Sequence, residues 1–179
     1  MAKKRTELSA FVRVVKKSHE GTVKTADELH TILTNLRYEG KHLLGRNLRE
    51  IREILEYFDE ELDCLIDTEE QVLFPFLRTH MPKLGSVLHL FGSEHEDFRK
   101  NLKIIQAQLD KLSREENGSN RAKIIERIRE TGTYLIYLIR NHIQAESKSI
   151  YKIIEHDLHA SEKRELTGQL RQHNGKILR

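Results

Sequence analysis

Apolar residues recur in steps of three and four along most of the chain, the spacing of one face of an α-helix. Three long seams stand out. The first runs Leu48, Ile51, Leu55, Phe58, Leu62, Leu65, Glu69, Val72, Phe76, and the second Leu88, Phe91, His95, Phe98, Leu102, Ile105, Leu109, Leu112. The third runs Ile125, Ile128, Gly132, Leu135, Ile139, His142, Glu146, Ile153, its steps continuing through Ser149. A fourth, shorter pattern carries Leu29, His30, Leu33 and Leu36. It opens on Thr25-Ala26-Asp27-Glu28, which reads as a capping box, and ends near Gly40. Residues 6–18 predict a separate short helix with Leu8, Phe11, Val12 and Val15 on one side, closed by Gly21. Ser161 reads as the N-cap of a last short helix ending near Leu170.

The breaks are equally readable. Pro75 lacks an amide donor and is expected to kink or end its helix beyond Gln71. Met81-Pro82-Lys83 with Gly85, and the polar run Glu115–Asn120, predict turns. No stretch alternates as a strand does. The expected fold is all-α: an antiparallel up-down-up-down four-helix bundle over residues 23–170. An extra amphipathic helix in 1–22 precedes it, the short C-terminal helix completes it, and a basic tail covers 171–179.

Composition narrows the setting. With 33% charged residues, 37% hydrophobic ones and only 2 Pro, the chain suits long solvated helices. No apolar run approaches the twenty or so residues of a membrane span. The basic start, Met1-Ala2-Lys3-Lys4-Arg5, lacks the apolar core of a signal peptide. A single cysteine, Cys64, excludes an intramolecular disulfide and a thiolate-rich zinc site. A cytoplasmic location is the expectation. The net charge of +3 gathers at the two ends without stacking aromatics or a reading helix, so solubilising tails are expected rather than a nucleic-acid surface. The 6–18 segment offers a surface for a homodimer.

The chemistry lies in the interruptions of the seams. Glu69, His95 and the pair His142 and Glu146 occupy positions where the pattern calls for apolar side chains. An ionised carboxylate there is costly unless something positive meets it. A cation satisfies carboxylates and imidazoles together; the alternative is a hydrogen-bonded polar set that fixes the register of the bundle. The first bundle helix offers His30, with Leu29 competing for the inward position. His42, His80 and His89 are reserves. A weak internal repeat relates Glu28-Leu29-His30 to Glu94-His95, and Thr68–Phe74 to Ala145–Tyr151. Each half then brings one histidine and one inward glutamate. The second half has His142 four residues before Glu146, where the first has Leu65 before Glu69.

Glu28-Leu29-His30, Glu69-Glu70-Gln71-Val72-Leu73-Phe74-Pro75, Ser93-Glu94-His95 and His142-Ile143-Gln144-Ala145-Glu146 together resemble the hemerythrin-like family of histidine–glutamate cation-binding bundles. The resemblance covers roughly residues 25–170. It implies a non-haem iron site, usually di-iron, held by His30, Glu69, His95, His142 and Glu146. Family members are linked to oxygen carriage, to sensing of oxygen, nitric oxide or iron, and to repair of iron–sulfur centres. Two positions depart from the pattern: Leu65 stands where the family has a histidine, and Phe91 where some members have another. A di-iron site open near Leu65, a mononuclear site, and an asymmetric site with a weakly held second metal all remain. Imidazole with carboxylate suits iron or manganese, and zinc is an alternative occupant. Binding of a small diatomic ligand ranks ahead of a di-iron oxidase or peroxidase activity, because no separate substrate pocket or base is visible. A metal-free interaction module is the remaining reading.

Overall fold

The computed structural model describes the backbone of residues 2–38 and 41–173, and the side chains of 12–36 and 44–173. All of its regular elements are helical. The first, α1, is one helix from Ala2 to Tyr38. The second rod is assembled from α2 (Lys41–Tyr57), a π turn (Phe58–Leu62), α3 (Asp63–Thr68), a second π turn (Glu69–Leu73) and α4 (Phe74–His80). A 3₁₀ turn at Pro82–Leu84 leads into α5 (Gly85–Arg114), followed by α6 (Gly118–Lys148), α7 (Ile150–His156) and α8 (Ala160–His173).

Side-chain pairs give the relative directions. α6 runs antiparallel to α5, through Tyr134 with Asp97 and His142 with Glu94. It also runs antiparallel to α1, through Arg129 with Leu33 and Arg140 with Asp27. The second rod opposes α5 through Arg52 with Asp110 and Arg99 with Asp63. The α5–α6 turn is held by local bonds. Asn117 Oδ1 accepts from the Ser119 and Asn120 amides, and Arg121 donates to the Leu112 and Glu115 carbonyls.

α1 departs from the sequence expectation. Gly21 does not close a helix, residue 22 lies in mid-helix, and Thr25 and Glu28 are ordinary helical positions rather than a capping box. The reason is a buried row that runs unbroken through Val12, Val15, His19, Thr22, Ala26, Leu29, Leu33 and Leu36. Burying that row outweighs the roughly 1 kcal/mol cost of a helical glycine. Gly21 also leaves room for the Tyr57 hydroxyl, which lies 3.3 Å from where a Cβ would stand. Leu8, Phe11, Gly40, His42 and residues 174–179 fall outside what is described, as a helix end, as side chains or altogether.

Pro75 does not end the second rod. It sits in the first turn of α4, directly after a π turn in which the Phe74 amide bonds to the Glu69 carbonyl five residues back. A π turn before the proline absorbs the disturbance of the ladder. The third seam slips at its end, because α6 stops at Lys148 and α7 restarts at Ile150. Ile150, Tyr151 and Ile154 are therefore buried, and Ile153 only partly.

The core has two apolar clusters. One spans Ala26–Leu36, Ile51–Ile66, Phe98–Leu112 and Ile124–Ile143; the other gathers Val12, Val15, Leu65, Val72–Leu77, Leu84–Phe91 and Ile150–Leu170. Between them every rod places a polar group: His19, Glu69, His95 and Glu146, all buried.

Candidate metal centre

Glu69 is brought inward by the second π turn, which also places the neighbouring Glu70 at the side of the site. α5 contributes His95, and α6 contributes His142 and Glu146 one turn apart. α1 contributes His19. Ligand atoms of Glu69, His95 and His142 all lie within 4.8 Å of one another, and so do those of His19, Glu69 and Glu146. Glu69 thus belongs to two overlapping triads.

Hydrogen bonds fix the protonation of two imidazoles. His95 Nδ1 is 2.9 Å from Glu70 Oε1, and His142 Nδ1 is 2.7 Å from Glu94 Oε2. A carboxylate only accepts, so each Nδ1–H donates and each neutral ring is left with a bare Nε2. Those two Nε2 atoms face each other at 3.1 Å. Two lone pairs at that distance repel unless a proton or a cation lies at them. Beside them, Glu69 Oε2 is 3.5 Å from His95 Nε2, and Glu146 Oε2 is 3.7 Å from His142 Nε2 and 3.6 Å from His19 Nε2.

Neither oxygen of Glu146 has a hydrogen-bond partner among the described residues, and neither does His19 Nδ1. Glu69 is better supported, since the Tyr151 hydroxyl donates to its Oε1 at 2.6 Å. Burial pushes the Glu69 carboxyl up to about 7. Burial, with the charge of Glu69 added, raises Glu146 well above the usual carboxylate range. Burial lowers His19 to about 4, with positive charge on His142 adding to the effect. His95 falls to about 2, again chiefly through burial. With protons alone the site is a set of groups each held away from its ordinary charge. A divalent cation would compensate two carboxylates and engage three imidazole lone pairs at once, so the donor set fits a metal.

Rings complete the walls. Phe74 stacks flat on His95 with centroids 5.7 Å apart, and Tyr151 meets His19 edge-on at 5.7 Å. A cavity of about 20 Å3 adjoins the donors, with Leu62, Leu65, Phe98 and Ile139 among its apolar lining. That is room for one water-sized molecule.

Of the five residues singled out from sequence, the structure brings together Glu69, His95, His142 and Glu146. His30 is not with them. It is solvent-exposed, one step round α1 from the buried Leu29, which keeps the inward position. His19, which the sequence reading overlooked, supplies the α1 imidazole instead. A signal for it existed in the repeat: 77 positions separate Glu69 from Glu146, 76 separate His19 from His95, but only 65 separate His30 from His95. Splitting α1 at Gly21 hid this. Glu94 and Glu70 stand out in the sequence as motif residues only, and their part in holding His142 and His95 needs the neighbouring helix to be seen. His80 is away from the site, stacked on Phe76 and beside Glu162 and Glu165, and His89 is exposed.

The family model for the hemerythrin HHE cation binding domain matches residues 10–154, and the chain belongs to that family. No curated protein matches it. The matched segment includes His19 and every other donor described above.

Proposed function

We propose that this protein binds non-haem iron in the polar layer of an up-down-up-down bundle, through His19, Glu69, His95, His142 and Glu146, and uses it to bind or sense a small diatomic ligand such as oxygen or nitric oxide. The observation that carries the reading is the pair of bare imidazole nitrogens facing each other at 3.1 Å beside two buried carboxylates. Iron held there would supply a redox-active Lewis acid. The chain's own groups do the rest. Glu70 and Glu94 orient two imidazoles, Tyr151 holds Glu69, and Leu62, Leu65 and Phe98 keep bulk water from the donors. The cavity beside them suits a ligand of two or three atoms and excludes a larger organic substrate, which favours ligand binding over an oxidase role. Among the described residues no helix is long and apolar enough to cross a membrane.

Anaerobic purification with iron reconstitution, elemental analysis, and absorption spectra before and after oxygen or nitric oxide provide the test. Between about one and two equivalents of iron, with a spectrum that responds to the ligand, is expected. Less than about a tenth of an equivalent of any transition metal would leave a metal-free bundle as the reading.

A further inference from the structure

His95 and His142 are both backed by a carboxylate, yet the two carboxylates are not alike. Glu94 and Glu70 are similarly exposed, at 27% and 25%, so solvent does not distinguish them. Their ion partners do. The Arg99 guanidinium donates through Nη1 to both oxygens of Glu70 at 3.0 Å, and through Nε to Asp63 Oδ1 at 2.6 Å. Asp63 directly follows the first π turn and Glu70 lies in the second, so one arginine from α5 ties both irregular segments of the second rod together. Glu94 has no ion pair with Lys or Arg among the described residues; its close contact is His142 Nδ1 at 2.7 Å.

A hydrogen bond from Nδ1–H to an anionic carboxylate fixes the ring and pushes electron density toward Nε2, making that nitrogen a stronger donor. A guanidinium on the same carboxylate draws part of that density back. We propose that Glu94 and Glu70 are positioning residues that make His142 the stronger and His95 the weaker imidazole donor, with Arg99 setting the difference. The inference rests on the metal reading above, and it adds a prediction of sign. Removing Arg99 strengthens the site, because it leaves Glu70 fully anionic behind His95. A purely structural salt bridge would do the opposite.

Cobalt(II) titration of the purified chain, followed by its absorption spectrum, tests this alongside nitrogen NMR of the imidazoles in the metal-free protein. Glu70→Gln and Glu94→Gln are each expected to weaken cobalt binding by about 10- to 100-fold, Glu94→Gln by the larger factor. Arg99→Met is expected to tighten it, Arg99→Lys to stay near wild type, and the gain from Arg99→Met to vanish in a Glu70→Gln background. In the NMR spectra Glu70→Gln should alter His95 alone and Glu94→Gln His142 alone, which a general loss of folding would not do. Unchanged affinity in both glutamine variants, or a loss with Arg99→Met equal to that with Glu70→Gln, overturns the inference while wild-type cobalt uptake leaves the metal reading intact. Failure of the wild type itself to take up cobalt overturns both.

Discussion

On the α5–α6 side of the polar layer each imidazole is fixed at Nδ1 by a carboxylate, whereas on the α1 side His19 and Glu146 approach only each other and their neighbours across the site. His19 Nδ1 and both Glu146 oxygens lack hydrogen-bond partners among the described residues. The burial is comparable, so the difference is one of support. The supported side holds its geometry with protons alone. The unsupported side keeps buried polar atoms that a well-packed apolar core would not contain, which is what a site awaiting a cation looks like.

The sharpest way to break this comparison is Glu146→Met. It is expected to abolish metal uptake, to below about a tenth of an equivalent, while stabilising the metal-free protein by about 1–3 kcal/mol. Elemental analysis and denaturant unfolding read the two effects. A destabilised metal-free variant would mean that Glu146 is satisfied without metal after all.

His19→Ala should weaken metal binding by at least about tenfold, and His30→Ala should change nothing measurable. Equal losses in the two titrations would return His30 to the site and remove His19. Leu65→His is a gain-of-donor test. Leu65 is buried against the same cavity as Glu69 and His142, so a histidine there is expected to raise the metal content toward two equivalents per chain. Content that stays at the wild-type value would show that a donor at this position does not complete a second site.

The smallest effect is in pH. Glu69, raised to about 7, keeps a proton in the folded metal-free protein that the unfolded chain sheds near its ordinary value of 4.5. Its stabilising contribution is complete below about 4.5 and is lost as pH rises through 7. His19 and His95 act oppositely, being lowered to about 4 and about 2, so stability falls as the unfolded chain takes up their protons below about 6.5. Above about 6.5 the carboxylate effect stands alone. The metal-free protein should therefore lose a few degrees of Tm between about pH 6.5 and 8, and Glu69→Gln should flatten that slope. A Tm rising over the same interval contradicts the assignment.

Much of the helical order was legible because the seams are long and nearly regular, as in Leu88–Leu112, where every apolar position named is buried. Glu69, His95, His142 and Glu146 were visible for the same reason: a polar residue inside a strict period is conspicuous. His19 was missed because a local breaker, Gly21, was given more weight than the period running through it. A period sustained from Val12 to Leu36 reflects tertiary burial, and that burial overrides the preference of one glycine. Arg99 with Glu70, and Tyr151 with Glu69, were beyond reach for a different reason. They join side chains 29 and 82 positions apart, and a one-dimensional pattern shows which face a residue is on but not which neighbour it meets.

The two π turns have a consequence for how this chain can vary in length. A π turn spends one more residue than an α turn on its hydrogen-bonded loop. A single residue can be lost or gained there while the helical faces on either side keep their neighbours. Anywhere else in the second rod, the same one-residue change would turn all that follows by about 100° and carry Glu69 out of the polar layer. The segment bearing Leu65 lies between the two π turns. Natural insertions and deletions in the second rod should therefore concentrate at Phe58–Leu62 and Glu69–Leu73, making those turns the hinges of length rather than of motion.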